Sequence, residues 1–277
     1  MAATTEDTEA RVGPVDDVNR SIEALDWSVL EAALKVPGNA GYPLCSMTEA
    51  DFDVYIESEN QDLKSRNLEW HHGVVYIVEL NDVMHCRLAI GIDEAIFEAT
   101  GTGCKHLRSC GSAYIDTTNA PITLPKLEPD GCFYPTRSIG PIKPNWLSWC
   151  ENHTLKVEVG VHANWVTLDP KTERWCAFPG IRYVLCVHVS HDFAVREYKL
   201  FSITNNQLDG PAPHLTAPTP IHAHTRIELD GRRLLALPDD VPLPLGFNAS
   251  IVFELNPIVQ EVWCDYCDSD DPIPPPF

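Results

Sequence analysis

The stretch HTLKVEVGVHANWVTLDPKTERW, residues 153–175, decides how the chain is read. Leu155 to Val161 is rich in β-branched residues and reads as a strand. Glu158 stands in its middle, inside Val-Glu-Val. A carboxylate there costs free energy unless it is paired, solvated or bound to a cation. LDPKTERWCA then reads as a helix, with Asp169 as N-cap and Pro170 at its first position. Lys171 opens that helix.

Upstream, LEPDGCFYP, residues 127–135, sets a second carboxylate, Asp130, directly after a proline at the mouth of an apolar run. Two carboxylates converging from adjacent strands make a hard-oxygen site of the kind that suits Mg2+ or Mn2+. A lysine beside them can orient a water or stabilise charge developing on a phosphate. Asp130, Glu158 and Lys171 are therefore the candidate constellation, with Asp130 and Glu158 as its metal ligands. The plainer reading has Glu158 facing solvent on an ordinary strand and Lys171 as a surface residue.

Working outward, residues 1–20 read as disordered, being polar and acidic. RSIEALDWSVLEAALKV carries one helical stripe, and SMTEADFDVYIESEN a second helix with Ser46 or Thr48 as N-cap. LEWHHGVVYIVEL reads as a hairpin, Leu68–Trp70 against Val74–Val78 across the HHG turn, which makes His71 and His72 turn residues. A long helix is expected from Met84 to Thr100, and short strands in CGSAYIDT and EPDGCFYP. GIRYVLCVHVSHD is apolar on both faces and reads as a central strand, with AVREYKLFSI beside it. HTRIELDGRRLLALP suggests a hairpin around Asp230–Gly231, and DSDDPIPPPF a proline-rich tail. This order predicts an α/β (α+β) domain with a mixed central β-sheet flanked by helices.

At 277 residues, 44% hydrophobic, the chain can bury one large core. No apolar run reaches the ~20 residues of a membrane span. The polar, acidic opening MAATTEDTEARVG resembles neither a secretory signal nor a transit peptide, so an intracellular protein, cytoplasmic or nuclear, is expected. The ten cysteines are scattered rather than spaced as a disulfide framework and read as thiols. Cys264 and Cys267 in WCDYCD lack a second half for a zinc site. Net charge is -20. Residues 1–63 hold 14 acids and 3 bases, and residues 265–277 hold 4 acids and no base. That leaves 22 acids and 17 bases between them, a middle that is not basic and argues against tight nonspecific DNA binding.

With these residues in place, the chain resembles the Uma-type restriction endonuclease family, a branch of the P-D-(D/E)-x-K nuclease superfamily. The likeness runs in order through MTEADFDVYIE, LEWHHGVVYIVELNDVMH, LEPDGCF, TLKVEVGV, LDPKTERW and PGIRYVLCVHVS. It implies a restriction-endonuclease-like domain over residues 46–255; an acidic N-terminal extension with one helix over 1–45 and an acidic proline-rich tail over 256–277 lie outside the resemblance. It implies Asp130 and Glu158 as ligands of Mg2+ or Mn2+, Lys171 as a lysine displaced from strand to helix, and Glu69 and His85 as further site residues. The superfamily's usual lysine lies two residues after the glutamate, where this chain has Gly160. The chemistry then depends on Lys171 reaching in.

The function so implied is metal-dependent hydrolysis of phosphodiester bonds in nucleic acid, DNA first. Lys156, Arg137, Lys143 and Arg174 are the cations expected to line the cleft. The alternative is a catalytically inactive nuclease-fold binding or scaffold module, with a filled cleft or Lys171 turned away. A protein partner docked on the tail and a second copy in a homodimer complete the expected partners.

Overall fold

In a computed structural model, residues 13–36, 38–80 and 82–267 are described. The helical stripe expected after residue 20 is split in two. Pro14–Glu23 form α1 and Trp27–Leu34 form α2. Asp26 starts the second helix by accepting from the amides of Ser28 and Val29, as N-cap aspartates do. Helix α1 overturns the disordered reading for residues 14–20, because Val18 and Ile22 are buried in a local core. Residues 1–12 lie outside the described residues.

Tyr42–Ser46 form β1, Glu49–Glu57 form α3, and Leu68–His71 and Val74–Ile77 form β2 and β3. Thr48 caps α3 as expected, accepting from the Asp51 amide. The expected hairpin is present, its turn made by His72 and Gly73 with φ of 51° and 87°. Two successive positive φ values define the turn whose twist suits a two-residue hairpin. Strand β1 joins the far side of β3. Within residues 14–46, α1, α2 and β1 are thus built into the fold rather than set apart as an extension.

The long helix α4 covers Val83–Ala99. Then come β4 (Leu107–Ser109), β5 (Gly131–Pro135), β6 (Leu155–Gly160), α5 (Trp165–Cys176), β7 (Tyr183–Val189), β8 (Arg196–Thr204), β9 (Gln207–Leu208) and β10 (Thr219–Pro220). The central sheet runs β10-β8-β7-β6-β5-β4, with β9 on β8. Strands β6 and β7 are parallel and joined through α5, and the other pairs are antiparallel. The molecule is a mixed α+β fold with a mixed sheet flanked by helices. CGSAYIDT is not a strand: the segment that pairs with β5 is β4, just before it.

Helix α5 starts earlier than the sequence suggests. Asn164 is its N-cap, accepting from the Val166 amide at 2.9 Å. Pro170 falls inside the helix, and Asp169 is buried on the Lys199 ammonium at 2.8 Å rather than capping. At the sixth position of α5, past its first turn, Pro170 leaves the Val166 carbonyl without a helical partner, and the buried ion pair fixes Asp169.

The final elements are β11 (Arg226–Asp230), α6 (Gly231–Leu234), β12 (Ser250–Glu254) and α7 (Leu255–Cys267). No hairpin forms at Asp230–Gly231. Asp230 instead caps α6, and β11 pairs with β12. Residues expected in the tail from 256 onward form α7, which packs on α4 through Ile258 against Gly91. The proline-rich end, 268–277, lies outside the described residues. His222–Thr225 form a turn, closed by the Thr225 amide donating to the His222 carbonyl at 3.0 Å. No helix among the described residues is long and apolar enough to cross a membrane.

The sheet divides the interior. Leu155, Val157 and Val159 of β6 join Leu88 and Ile92 of α4 in one core. The alternate residues Lys156 and Glu158 face the other side, where Trp175 of α5 is fully buried. That strand alternation carries two charges into the second core.

Candidate functional site

The register of β5 on β6, Gly131 opposite Val157, brings Asp130 alongside Glu158. The Asp130 carboxylate accepts from the Val159 amide at 2.8 Å through Oδ2, and its Oδ1 lies 3.2 Å from His85 Nε2. His85 is aimed from the first turn of α4, where Asp82 holds its amide at 2.8 Å. Both side chains are buried.

Glu158 is clamped from α5. Lys171 Nζ lies 2.7 Å from its Oε2, and Trp175 Nε1 donates to its Oε1 at 2.5 Å. Lys171 and Trp175 are four residues apart, one above the other on a helix face. Glu69 on β2 completes the group, its Oε2 lying 3.1 Å from the Arg174 guanidinium and 2.7 Å from His71 Nε2. The five residues singled out in the sequence therefore stand together, and His71 belongs with them as the partner of Glu69.

Gly160 leaves no room for a side chain beside Glu158. A Cβ at this position would sit 2.3 Å from the carbonyl oxygen of Ala163. The chain folds back there because the buried Glu79 carboxylate takes the amides of Val161 and Ala163, each at 2.9 Å. It also meets His162 Nδ1 at 2.7 Å. No side chain fits two residues after Glu158, and α5 supplies the cation instead.

The two central carboxylates are driven apart in acidity. Burial raises Asp130, but the charge and hydrogen bond of His85 outweigh it and hold the carboxyl down at about 2. Burial lifts Glu158 to about 7, against the pull of Lys171 and with the help of Asp130. Burial disfavours the Lys171 ammonium, yet Glu158, Asp130 and Glu69 together push its pKa above the ordinary value. His85 likewise overcomes its burial through Asp130 and stays charged well above the usual imidazole range.

The group opens to one side through a cavity of about 50 Å³, lined among others by Glu69, Lys171, Arg174, Arg66, Lys126 and Trp70. Of the four expected cations only Arg174 is there. Lys156 is wholly buried, 2.8 Å from His153 Nδ1 and 4.2 Å over the Trp175 ring. Arg137 and Lys143 lie instead near the Trp149 ring, at 5.8 and 5.2 Å. Arg66 and Lys126 arrive from loops with no local signature.

For a divalent ion, the donor chemistry fits: Asp130 and Glu158 offer hard oxygens, each with a further lone pair beyond its present partner. They form no closed cage, and no group of three or more His, Cys, Asp or Glu among the described residues is placed to hold a metal. Magnesium needs only one or two carboxylates when waters and substrate phosphate fill its shell. Comparison of the chain with protein-family models and with curated proteins finds no match.

Proposed function

We propose that the chain is a nuclease-like protein with a restriction-endonuclease-like core, hydrolysing phosphodiester bonds of nucleic acid, DNA first, with Mg2+ or Mn2+. The observation that carries this reading is Lys171 Nζ at 2.7 Å from Glu158, delivered by α5 to the place that Gly160 cannot serve. The order β5, β6, α5 and parallel β7 supports the core.

Asp130 and Glu158 would hold the ion. When bound, it polarises a phosphoryl oxygen and lowers the pKa of its water. Lys171, kept cationic by three carboxylates, stabilises charge that develops on the phosphate oxygens. His85 fixes Asp130 and Trp175 fixes Glu158. Arg174, anchored by Glu69, faces the cavity and meets the substrate backbone.

A second reading, an inactive binding module, draws on a different observation. Both oxygens of Asp130 and of Glu158 already have partners within the chain, and the opening is only about 50 Å³. Calorimetry with Mn2+ and cleavage assays on single- and double-stranded nucleic acid separate the two. The nuclease reading expects cleavage that falls by about 100-fold or more in Glu158→Gln and Lys171→Ala. It also expects Mn2+ binding that is lost in Asp130→Ala. Neither cleavage nor Mn2+ binding in the presence of nucleic acid leaves the binding module.

A further inference from the structure

A row of polar groups runs from the interior to the surface beside β5 and belongs to no step above. Continuing the β4–β5 register, in which Ser109 faces Phe133, sets Cys110 opposite Cys132, and the Cys110 amide donates to the Cys132 carbonyl at 3.0 Å. Directly opposed residues bonded in this way have Cα atoms about 5.5 Å apart, inside the range of about 4.4–6.8 Å that a disulfide spans. Both cysteines are free thiols, Cys132 buried and Cys110 partly exposed.

The protons along this row are ordered by one constraint. An ammonium has donors only, so Lys156 Nζ, 2.8 Å from His153, must donate to Nδ1. The ring proton then sits on Nε2, which faces Cys132 Sγ at 3.5 Å. The Cys132 S–H has two acceptors, the Ala113 carbonyl at 3.7 Å and the Cys110 sulfur. The hydrogen bond from Cys132, against some burial and with the charge of Lys156, brings the Cys110 thiol down to about 7. When protonated, Cys110 has an acceptor in the Cys150 carbonyl at 3.6 Å.

We infer that Cys110 and Cys132 form an oxidisable dithiol whose substrate is a peroxide, with Cys110 as the attacking and Cys132 as the resolving thiol. The Cys110 thiolate attacks one peroxide oxygen, the O–O bond breaks, and the leaving oxygen takes a proton to depart as water or alcohol. Cys110 is left as a sulfenic acid. The Cys132 sulfur then attacks the Cys110 sulfur, the S–O bond breaks, and hydroxide leaves as water with the Cys132 proton. The two sulfurs are oxidised by two electrons and the peroxide is reduced by two. A partly exposed, hydrogen-bonded thiol beside a buried partner is the arrangement that favours this chemistry. Cys86 is exposed, and its thiol is held below the usual range chiefly by a hydrogen bond from His85. The β-sheet register gives it no opposing cysteine, so its oxidation stops short of this linkage.

The test treats the full chain with hydrogen peroxide at neutral pH, blocks the remaining thiols, and maps cross-linked peptides by mass spectrometry. The expected result is one intramolecular disulfide joining Cys110 and Cys132, with the other cysteines alkylated. Cys110→Ser should abolish it and slow thiol loss by about fivefold, the net of more thiolate and lower nucleophilicity. Cys132→Ser should leave Cys110 as a sulfenic acid captured by a dione probe. Thermal melts of both variants check the fold, and the wild-type peptide map stands if either variant melts early. A Cys110–Cys150 bond, or peroxide consumed elsewhere while Cys110 and Cys132 stay alkylatable, overturns the inference.

Discussion

Glu158 is the residue on which most depends, because its two oxygens meet Lys171 and Trp175 in a space closed to water. Removing one partner of a buried ion pair leaves the other charge uncompensated. Lys171→Met should therefore lower unfolding free energy by about 3–5 kcal/mol in urea titrations. A loss below about 1 kcal/mol, the range of exposed pairs, would mean that Lys171 is solvated. The same groups set a pH profile. Depressed Asp130 adds stability above its ordinary value of 3.8 and loses it as pH falls toward about 2. Raised His85 adds stability that is complete below 6.5 and is lost as pH rises through its higher folded value. Glu158, raised from 4.5 to about 7, binds its proton more tightly when folded, so its ionisation costs stability as pH climbs between those values. These effects place the stability maximum on the acid side of neutral. Melting temperature should fall from about pH 5 to pH 8, and Glu158→Gln should flatten that slope. A profile unchanged in the variant would show that Glu158 does not titrate there. Glu158 was legible because a carboxylate in a valine strand demands a partner, and Asp130 and Lys171 were singled out mainly by the ordered motifs of the resemblance. Arg66 and Lys126 were not, since neither position has a local cue.

At the level of elements, short-range signals were read well and long-range ones poorly. Thr48 as a cap and His72–Gly73 as a turn need only their neighbours. The start of α5 depends on Asn164, and the aspartate that looked like a cap is claimed by Lys199, 30 residues on. Gly160 is glycine because of a carboxylate, Glu79, that binds the Val161 amide from 82 residues away. Gly160→Lys, which would set a lysine two residues after Glu158, should thus fail to fold or melt far below wild type. A soluble variant with normal melting would show that the 161–163 loop moves aside. Helix α7 was missed because an acidic, proline-rich sequence follows it, while its buried Leu255, Ile258, Val259 and Val262 join the α4 core. Deleting the chain after Glu254 strips that face, and at ~25 cal/mol per Å² of apolar surface such losses outweigh ordinary stability margins. The truncated protein should aggregate on expression or show no cooperative melt. A soluble, cooperative product would make α7 an appendage.

For the whole molecule, the proposed function would set a net charge of -20 against a polyanionic substrate. The cavity mouth does not reverse it, for Arg66, Lys126, Lys171 and Arg174 share the lining with Glu49, Asp53, Glu69 and Glu128. Lys126 is moreover engaged by Glu57 at 2.5 Å. A basic nuclease loses affinity steeply as salt rises, because it releases counterions from the phosphates. Here the long-range force is repulsive, and it is screened beyond about 10 Å at 0.1 M ionic strength. Raising salt from ~0.02 M to ~0.1 M should then increase kcat/KM on nucleic acid by a few-fold, the reverse of the usual trend. Glu49→Gln with Glu128→Gln removes two negative charges at the mouth without touching Asp130, Glu158 or Lys171. That double variant should raise kcat/KM at low salt and weaken its rise with ionic strength. Should wild-type activity instead decline from the lowest salt, the cations of the cavity dominate the encounter, and the acidity of the chain plays no part in it.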